Sequence, residues 1–271
     1  MNSLKIAMQS GEPLLIEPNK AAMIAERSAD LLASIKQDQA GAEMLTALLG
    51  NQPKAEKVGK AGIIPIKGAI GSNLMPIEKI LGMVDVNDIR KNIDAFEKDP
   101  QITHLVFDIN SPGGTVTGVP ELASRIRNST KPTIAFTDSQ AASAGYWLGS
   151  QSQRFLATGS ASVGSVGVYR VVPDATKAFE NMGVKMEVFK SGKYKAIGLP
   201  GTAIDADGKE MIQQSVVDVH NDFKADVRSV RSLVPDSAME GQSFPAKKAA
   251  SIGMLTGIVS GMDQVLAEIN R

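Results

Sequence analysis

The sequence has no cysteine and only two histidines, His104 and His220, among its 271 residues. The missing thiols exclude disulfides, thiolate metal sites and cysteine nucleophiles. A histidine-based triad or zinc site would have to use one or both imidazoles, and neither lies in a recognisable motif. We therefore expect structural roles for both histidines, and neither a metal ion nor a cofactor.

Net charge and aromatic residues are also scarce. Lys and Arg together number 29, as do Asp and Glu, and aromatic residues make up 4% of the chain. A protein that binds nucleic acid is usually basic and offers aromatic rings for stacking, so we expect no nucleic-acid partner. No uncharged apolar run approaches the roughly 18–20 residues that span a bilayer, and the first residues lack the apolar core of a signal peptide. We expect a cytoplasmic protein without a membrane span.

The apolar content of 43% is that of a globular protein. Leu14–Ile16 is predicted to be extended, and residues 21–49 have the composition of two short helices. Residues 51–60, with proline and three lysines, are typical of a linker. We predict an N-terminal arm with helices and a linker over residues 1–60, and the main domain over residues 61–271.

Strand and helix patterns alternate in the main domain. Candidate strands cover residues 62–66, 103–109, 132–136, 154–157 and 257–259, and residues 165–172 and 185–190 are predicted to be extended. Candidate helices cover residues 86–96, 119–127, 141–150, 174–182, 246–251 and 262–269. This alternation predicts an α/β fold with a mainly parallel sheet and outer helices.

One further helix is long and carries a single apolar stripe. Its members are Ile212, Val216, Val219, Phe223, Val227 and Val230. Such a stripe needs a partner surface, which is either the sheet of the same chain or a second subunit.

Three segments have the composition of a functional site. The first, 110–114, is Asn-Ser-Pro-Gly-Gly directly after a buried strand. A turn with free N–H groups at the carboxyl edge of a sheet suits a developing oxyanion, although an ordinary turn explains the same residues.

The second segment, 139–147, places Ser143 among residues with almost no side chain at the start of a helix. Either a substrate lies over its hydroxyl, or the small residues allow close helix packing.

The third segment, 191–200, carries Lys193 and Lys195 on either side of a tyrosine. It is either a surface loop or a loop that delivers a lysine into a dry pocket, where an ammonium loses hydration and its pKa falls. A serine nucleophile needs a base, and with cysteine absent and histidine poorly placed, a Ser–Lys pair is the remaining economical arrangement.

Four ordered motifs resemble those of the S49 peptidases, the protease IV or signal-peptide-peptidase type. They are FDINSPGG, AASAGYW, ATGSASVGSVGVY and FKSGKYK, followed by FPAKKAASIGMLTGIV near the end. The resemblance covers residues 60–265 and implies a crotonase-like or Clp-protease-like α/β fold.

The resemblance also implies the roles of individual residues. Ser143 is the nucleophile and Lys195 the general base. The backbone N–H groups of Gly114 and Ala144 form the oxyanion hole. Ser165 orients the lysine amine, and the neighbouring glycines Gly113 and Gly145 support the site.

Two departures from the cellular members point to the bacteriophage branch, the lambda-type capsid assembly proteases. Ala144-Gly145 follows the nucleophile where cellular members have two glycines, and the usual N-terminal anchor is missing. The branch implies a serine endopeptidase that cleaves capsid, portal or scaffold proteins during head maturation. It would work in the host cytoplasm or within the prohead, as a homo-oligomer.

Three alternatives stay open. A soluble bacterial S49 peptidase would degrade signal peptides or other peptides with the same dyad. A crotonase-type acyl-CoA enzyme would use the same fold without Ser143 or Lys195. An inactive capsid or scaffold subunit would keep the fold alone.

Overall fold

The computed structural model describes residues 13–16 and 53–271. The helices predicted over residues 21–49 lie outside the described residues. The described strands are β1 (Leu14–Ile16), β2 (Glu56–Val58), β3 (Ala61–Lys67), β4 (Ile70–Gly71), β5 (Val84–Asp85), β6 (His104–Asn110), β7 (Gly113–Thr115), β8 (Thr133–Thr137), β9 (Gln140–Ala142), β10 (Arg154–Ala157), β11 (Ser162–Gly164), β12 (Ser243–Pro245) and β13 (Gly257–Ile258). The described helices are α1 (Pro76–Ile80), α2 (Val86–Lys98), α3 (Val119–Arg127), α4 (Ala144–Ser150), α5 (Thr176–Asn181), α6 (Ala206–Val230), α7 (Ala246–Ser251) and α8 (Met262–Ile269).

The main sheet has six strands in the order β13-β10-β8-β6-β3-β2. Every neighbouring pair is parallel except β2 and β3. The central strands are short, mostly apolar runs that are largely buried, as expected where helices cover both faces of a parallel sheet. The predicted α/β fold with a mainly parallel sheet is confirmed. The one antiparallel strand, β2, lies within the segment predicted to be a linker.

Two smaller sheets continue from the main one. Their orders are β1-β7-β4-β5 and β12-β11-β9. Four of their strands, β4, β7, β9 and β11, follow the main-sheet strands β3, β6, β8 and β10 along the chain. The chain therefore enters the smaller sheets from the carboxyl ends of parallel strands, which is where open α/β proteins bind ligands.

The long helix α6 divides its apolar stripe between core and surface. Phe223 stacks on Trp147 of α4 with ring centroids 4.3 Å apart, and the Trp147 indole N–H donates to Asp226 over 2.9 Å. Phe223 and Val227 are buried, whereas Ile212, near the other end of α6, is only partly buried. The chain's own core thus supplies the partner surface for the C-terminal half of the stripe.

Two segments that the sequence predicts to be extended build no named strand among the described residues. Residues 165–172 and 185–190 form no ladder, and all of residues 181–190 are exposed. Their β-branched and aromatic side chains suggested strands, but a strand requires a neighbouring strand to bind its backbone groups. Residues 185–190 have no such neighbour among the described residues, and in residues 165–172 only Tyr169 has one, through an isolated bridge to Leu14 of β1.

An ion pair on the helical layer gives the folded state a pH dependence. Glu97 on α2 accepts two hydrogen bonds from Arg125 of α3, at 3.1 and 2.7 Å, and others from Ser129 and Thr130. These donors, Arg125 first, lower the pKa of Glu97 from 4.5 to about 2. A carboxyl group whose pKa is lower in the folded than in the unfolded chain stabilises the folded state at every pH above its unfolded pKa. For Glu97 this contribution is lost as the pH falls from 4.5 to about 2.

We therefore expect Glu97→Gln to lower the free energy of unfolding at pH 7 and to have little effect near pH 2. Urea denaturation of both proteins at the two pH values measures this difference. An equal destabilisation at both values would contradict the assignment.

Candidate active site

Ser143 lies at a sharp turn between β9 and α4. Its backbone has φ 53° and ψ −119°, a conformation that L-residues other than glycine rarely adopt. The turn is fixed on both sides: the Ser143 N–H donates to the Gly164 carbonyl, and the Trp147 N–H donates to the Ser143 carbonyl, each over 2.8 Å. Backbone strain that the surroundings hold in place often marks a functional residue.

The small residues around Ser143 are required by close backbone approach. A Cβ on Gly113 would stand 2.9 Å from Ser143 Cβ, and a Cβ on Gly145 would stand 3.0 Å from Ser111 Cβ. Gly113 also has φ 107°. Close packing is one explanation that the sequence offers for these small residues, and the structure confirms that they pack closely. This packing brings the two glycine-containing motifs into contact at Ser143.

The Pro-Gly-Gly segment is a strand and not an open turn. Gly113, whose N–H donates to Ser111 Oγ over 3.1 Å, begins β7, and β7 lies between β1 and β4. A Cβ on Gly114 would stand 1.8 Å from the Ile70 carbonyl oxygen of β4, so no other residue fits there without a shift. Ala144 is the first residue of α4, and its N–H therefore has no acceptor within that helix.

A cavity of about 280 Å³ opens beside Ser143. Its lining residues are Ile16, Ser143, Ser165, Gly167, Val168, Tyr169, His220, Glu240 and Gly241. Ser165 has φ 54°, and its N–H donates to the Gln242 carbonyl over 2.7 Å. Two residues predicted for the site, Ser143 and Ser165, therefore line one cavity.

Lys195 does not line this cavity. It is exposed in the loop before α6, and its N–H donates to the Gly192 carbonyl over 3.2 Å. Its ammonium group has no hydrogen bond or ion pair within the described residues. The structure thus brings Ser143, Ser165 and the glycine motifs together and leaves Lys195 apart from them.

Three polar residues of the cavity were not predicted. The His220 Nε2–H donates to the Met239 carbonyl over 2.8 Å, so the expected structural role is present, but the ring also lines the cavity. The Lys224 ammonium, 3.0 Å from Glu240, holds the pKa of that carboxyl below its usual value. Tyr169 has a buried hydroxyl with no hydrogen-bond partner among the described residues, and burial raises its pKa. Sequence spacing gave no signal for any of these contacts.

The other histidine is remote from the cavity. His104 begins β6, with Nδ1 2.9 Å from Thr103 Oγ1. Burial and then the charge of Arg154 lower its pKa. Among residues 13–16 and 53–271, no three His, Asp or Glu side chains group as a metal site, and no helix is long and apolar enough to cross a bilayer.

The strained turn predicts an effect on stability that is separate from chemistry. We expect Ser143→Gly to be more stable than Ser143→Ala by about 1 kcal/mol, because glycine adopts a positive φ freely whereas alanine keeps the strain. Denaturant unfolding of the two variants measures this difference. An alanine variant as stable as the glycine variant would show that the turn stores no strain.

Comparison with known proteins places the chain in a family. The family model of Peptidase family S49 matches residues 125–270, and the chain belongs to that family. It is similar to capsid assembly protease C of Escherichia phage lambda, with 25% identity, covering 96% of this chain and 63% of that protein. It is similar to the head-tail preconnector protein GP5 of Enterobacteria phage P21, with 26% identity, covering 96% of this chain and 56% of that protein. The chain therefore spans less than two thirds of either relative.

Among solved structures, the chain is similar to a ClpP1 variant from Listeria monocytogenes. The TM-score is 0.48 at 11% identity, covering 81% of this chain and 98% of that chain.

Proposed function

We propose that the protein is a serine endopeptidase with Ser143 as its nucleophile. The observation that carries this proposal is the strained turn that holds Ser143 at the edge of a cavity, against the Pro-Gly-Gly strand. Membership of Peptidase family S49 supports the same reaction class.

The proposed reaction is acyl transfer. A neutral base takes the proton of Ser143 Oγ, and the oxygen attacks the carbonyl carbon of the scissile peptide bond. The N–H groups of Gly114 and Ala144 stabilise the tetrahedral oxyanion, and the protonated base then donates to the leaving amine. Water activated by the same base releases the acyl group and restores Ser143.

Lys195 is our proposed base, and it must approach Ser143 from its exposed loop. The loop can move toward the cavity of its own chain, or it can reach the cavity of a second copy. Ser165 in the cavity wall would then accept a hydrogen bond from the amine and orient it. His220 is the second candidate, because it already lines the cavity, its Nε2–H donates to Met239, and its Nδ1 has no hydrogen-bond partner among the described residues.

The proposed substrates are proteins of a phage head: capsid, portal or scaffold subunits. The similarity to a capsid assembly protease and to a head-tail preconnector protein supports this class. The corresponding place of action is the host cytoplasm or the interior of the prohead.

The test is hydrolysis of an unfolded protein such as casein by the full chain, with and without a fluorophosphonate. We expect hydrolysis that the fluorophosphonate abolishes and that a chelator leaves unchanged. If the protein instead turns over acyl-CoA thioesters and leaves casein intact, it is an enzyme of the crotonase type. If it turns over neither substrate, the proposal is wrong and the protein is an inactive capsid or scaffold subunit.

We also propose that the protein assembles into a homo-oligomer. Large apolar side chains are exposed on the segment before α6, including Phe189 at 96% and Met182 at 65% exposure. A second copy that covers this segment removes apolar surface from water. Light scattering at micromolar concentration is expected to give a mass of several subunits, and a stable, fully active monomer would exclude the assembly.

A further inference from the structure

The strand β1 lies between two other segments of backbone near Ser143. On one side it pairs antiparallel with β7, in the register Leu14 with Thr115, Leu15 with Gly114 and Ile16 with Gly113. On the other side the Leu14 N–H donates to the Tyr169 carbonyl over 2.8 Å, and the Tyr169 N–H donates to the Leu14 carbonyl over 3.2 Å. β1 therefore has hydrogen-bonded backbone on both sides, as a central strand of a sheet has.

The direction of each peptide group follows from this pairing. Backbone groups of successive residues in an antiparallel strand point to opposite sides. The N–H and the carbonyl of Leu14 both form hydrogen bonds with Tyr169. The N–H and the carbonyl of Leu15 therefore point to the opposite side, toward Gly114. In agreement, a Cβ on Gly113 would stand 1.9 Å from the Leu15 carbonyl oxygen. The N–H of Gly114 thus faces a carbonyl group of the protein's own N-terminal arm.

The same strand helps to cover Ser143. A Cβ on Gly113 would lie 1.9 Å from the Leu15 carbonyl oxygen and 2.9 Å from Ser143 Cβ. Leu15 and Ser143 therefore both lie next to Gly113. Ile16 lines the cavity beside Ser143, and Ser143 is only 1% exposed. A nucleophile that attacks a protein substrate requires more access than this arrangement gives.

The side chains of β1 fill apolar sites on both faces. Leu14 and Ile16 pack with Ala69, Leu74 and Met83, whereas Leu15 joins the main core. All three side chains of β1 are buried. The place that β1 occupies accepts an extended segment with three successive apolar residues.

We propose that β1 occupies the position of the substrate strand, and that an extended apolar segment of the substrate protein binds there after β1 has left. This inference rests on the proposed function, because it takes the Gly114 N–H as an oxyanion donor. The Gly114 N–H faces the Leu15 carbonyl while β1 is in place. During the reaction the same N–H must donate to the substrate carbonyl instead. Displacement of β1 is therefore a condition for acylation of Ser143.

A reversible disulfide tests this competition. The absence of cysteine allows a single engineered pair, Leu14→Cys with Thr115→Cys. These two residues are opposite each other in β1 and β7 and do not exchange backbone hydrogen bonds, a position in which Cα atoms lie about 4.5 Å apart and a disulfide fits. The readout is the rate at which a fluorophosphonate labels the full-length protein, oxidised and then reduced.

We expect the oxidised protein to be labelled at least about tenfold more slowly than the reduced protein, because the locked strand removes the competent state. Each single-cysteine variant should show no redox response. Equal labelling rates before and after reduction, with the disulfide confirmed by mass, would overturn the inference and leave the proposed function intact.

A second variant keeps the test independent of the disulfide. Leu15→Ala removes side-chain packing of β1 and leaves its backbone pairing possible, so we expect faster labelling than in the unaltered protein. Labelling that is unchanged or slower, in a protein with native circular dichroism, would count against the inference. If no form of the protein is labelled at all, the proposed function itself fails.

Discussion

Replacing Ser143 by alanine is expected to lower the rate of peptide hydrolysis by at least about 10⁴-fold while the fold is retained. The variant loses the oxygen that forms the acyl-enzyme. Alanine keeps the Cβ and the backbone conformation of the turn, so the packing against Gly113 is unchanged. The measurement is turnover of casein, together with circular dichroism of the variant.

Ser150 offers a matched control on the same helix. It is fully buried, and its Oγ donates to the Trp147 carbonyl over 2.7 Å, but it does not line the cavity. Ser150→Ala should retain activity within about threefold, with a loss of stability of about 1 kcal/mol. Near-normal turnover by Ser143→Ala would show that another group is the nucleophile.

Replacing Lys195 by methionine is expected to cost about as much activity as replacing Ser143. Nucleophile and base act as one unit, so removing either disables the same step. Turnover of casein by the variant and by the unaltered protein measures this effect.

Lys193 is the matched control, two residues away in the same loop and paired with Asp207. Lys193→Met should leave turnover within about tenfold of the unaltered protein. His220→Gln decides between the two candidate bases, since a general base contributes about 10²- to 10⁴-fold. If His220→Gln loses activity to that extent and Lys195→Met does not, then histidine is the base.

The long elements of the fold could be predicted from sequence because each carries its own pattern. The buried run of β6 and the apolar periodicities of α2 and α8 determine those elements locally. The strands that build the site are different, since β4, β7 and β9 are two or three residues long. They exist only because neighbouring strands pair with them, and no local pattern records such pairing.

The same distinction applies to the site. Ser143 and Ser165, which line one cavity, could be chosen as candidates because their motifs are unusual and ordered along the chain. Tyr169, His220 and Ile16 reach the cavity from separate elements, so their proximity depends on packing that the sequence does not display. Residues 185–190 join no sheet for a related reason: their apolar side chains have no surface to bury against within the described part of the chain.

The central claim is that Ser143 forms the covalent intermediate, and the site of fluorophosphonate modification tests it most directly. The full chain is labelled, digested with trypsin and analysed by fragmentation mass spectrometry. The tryptic peptide that carries Ser143 also contains Ser129, Ser139, Ser150 and Ser152, so fragmentation must place the adduct. We predict a single adduct on Ser143 that forms in step with loss of hydrolysis; an adduct on another residue, or full inhibition with Ser143 unmodified, would contradict the account.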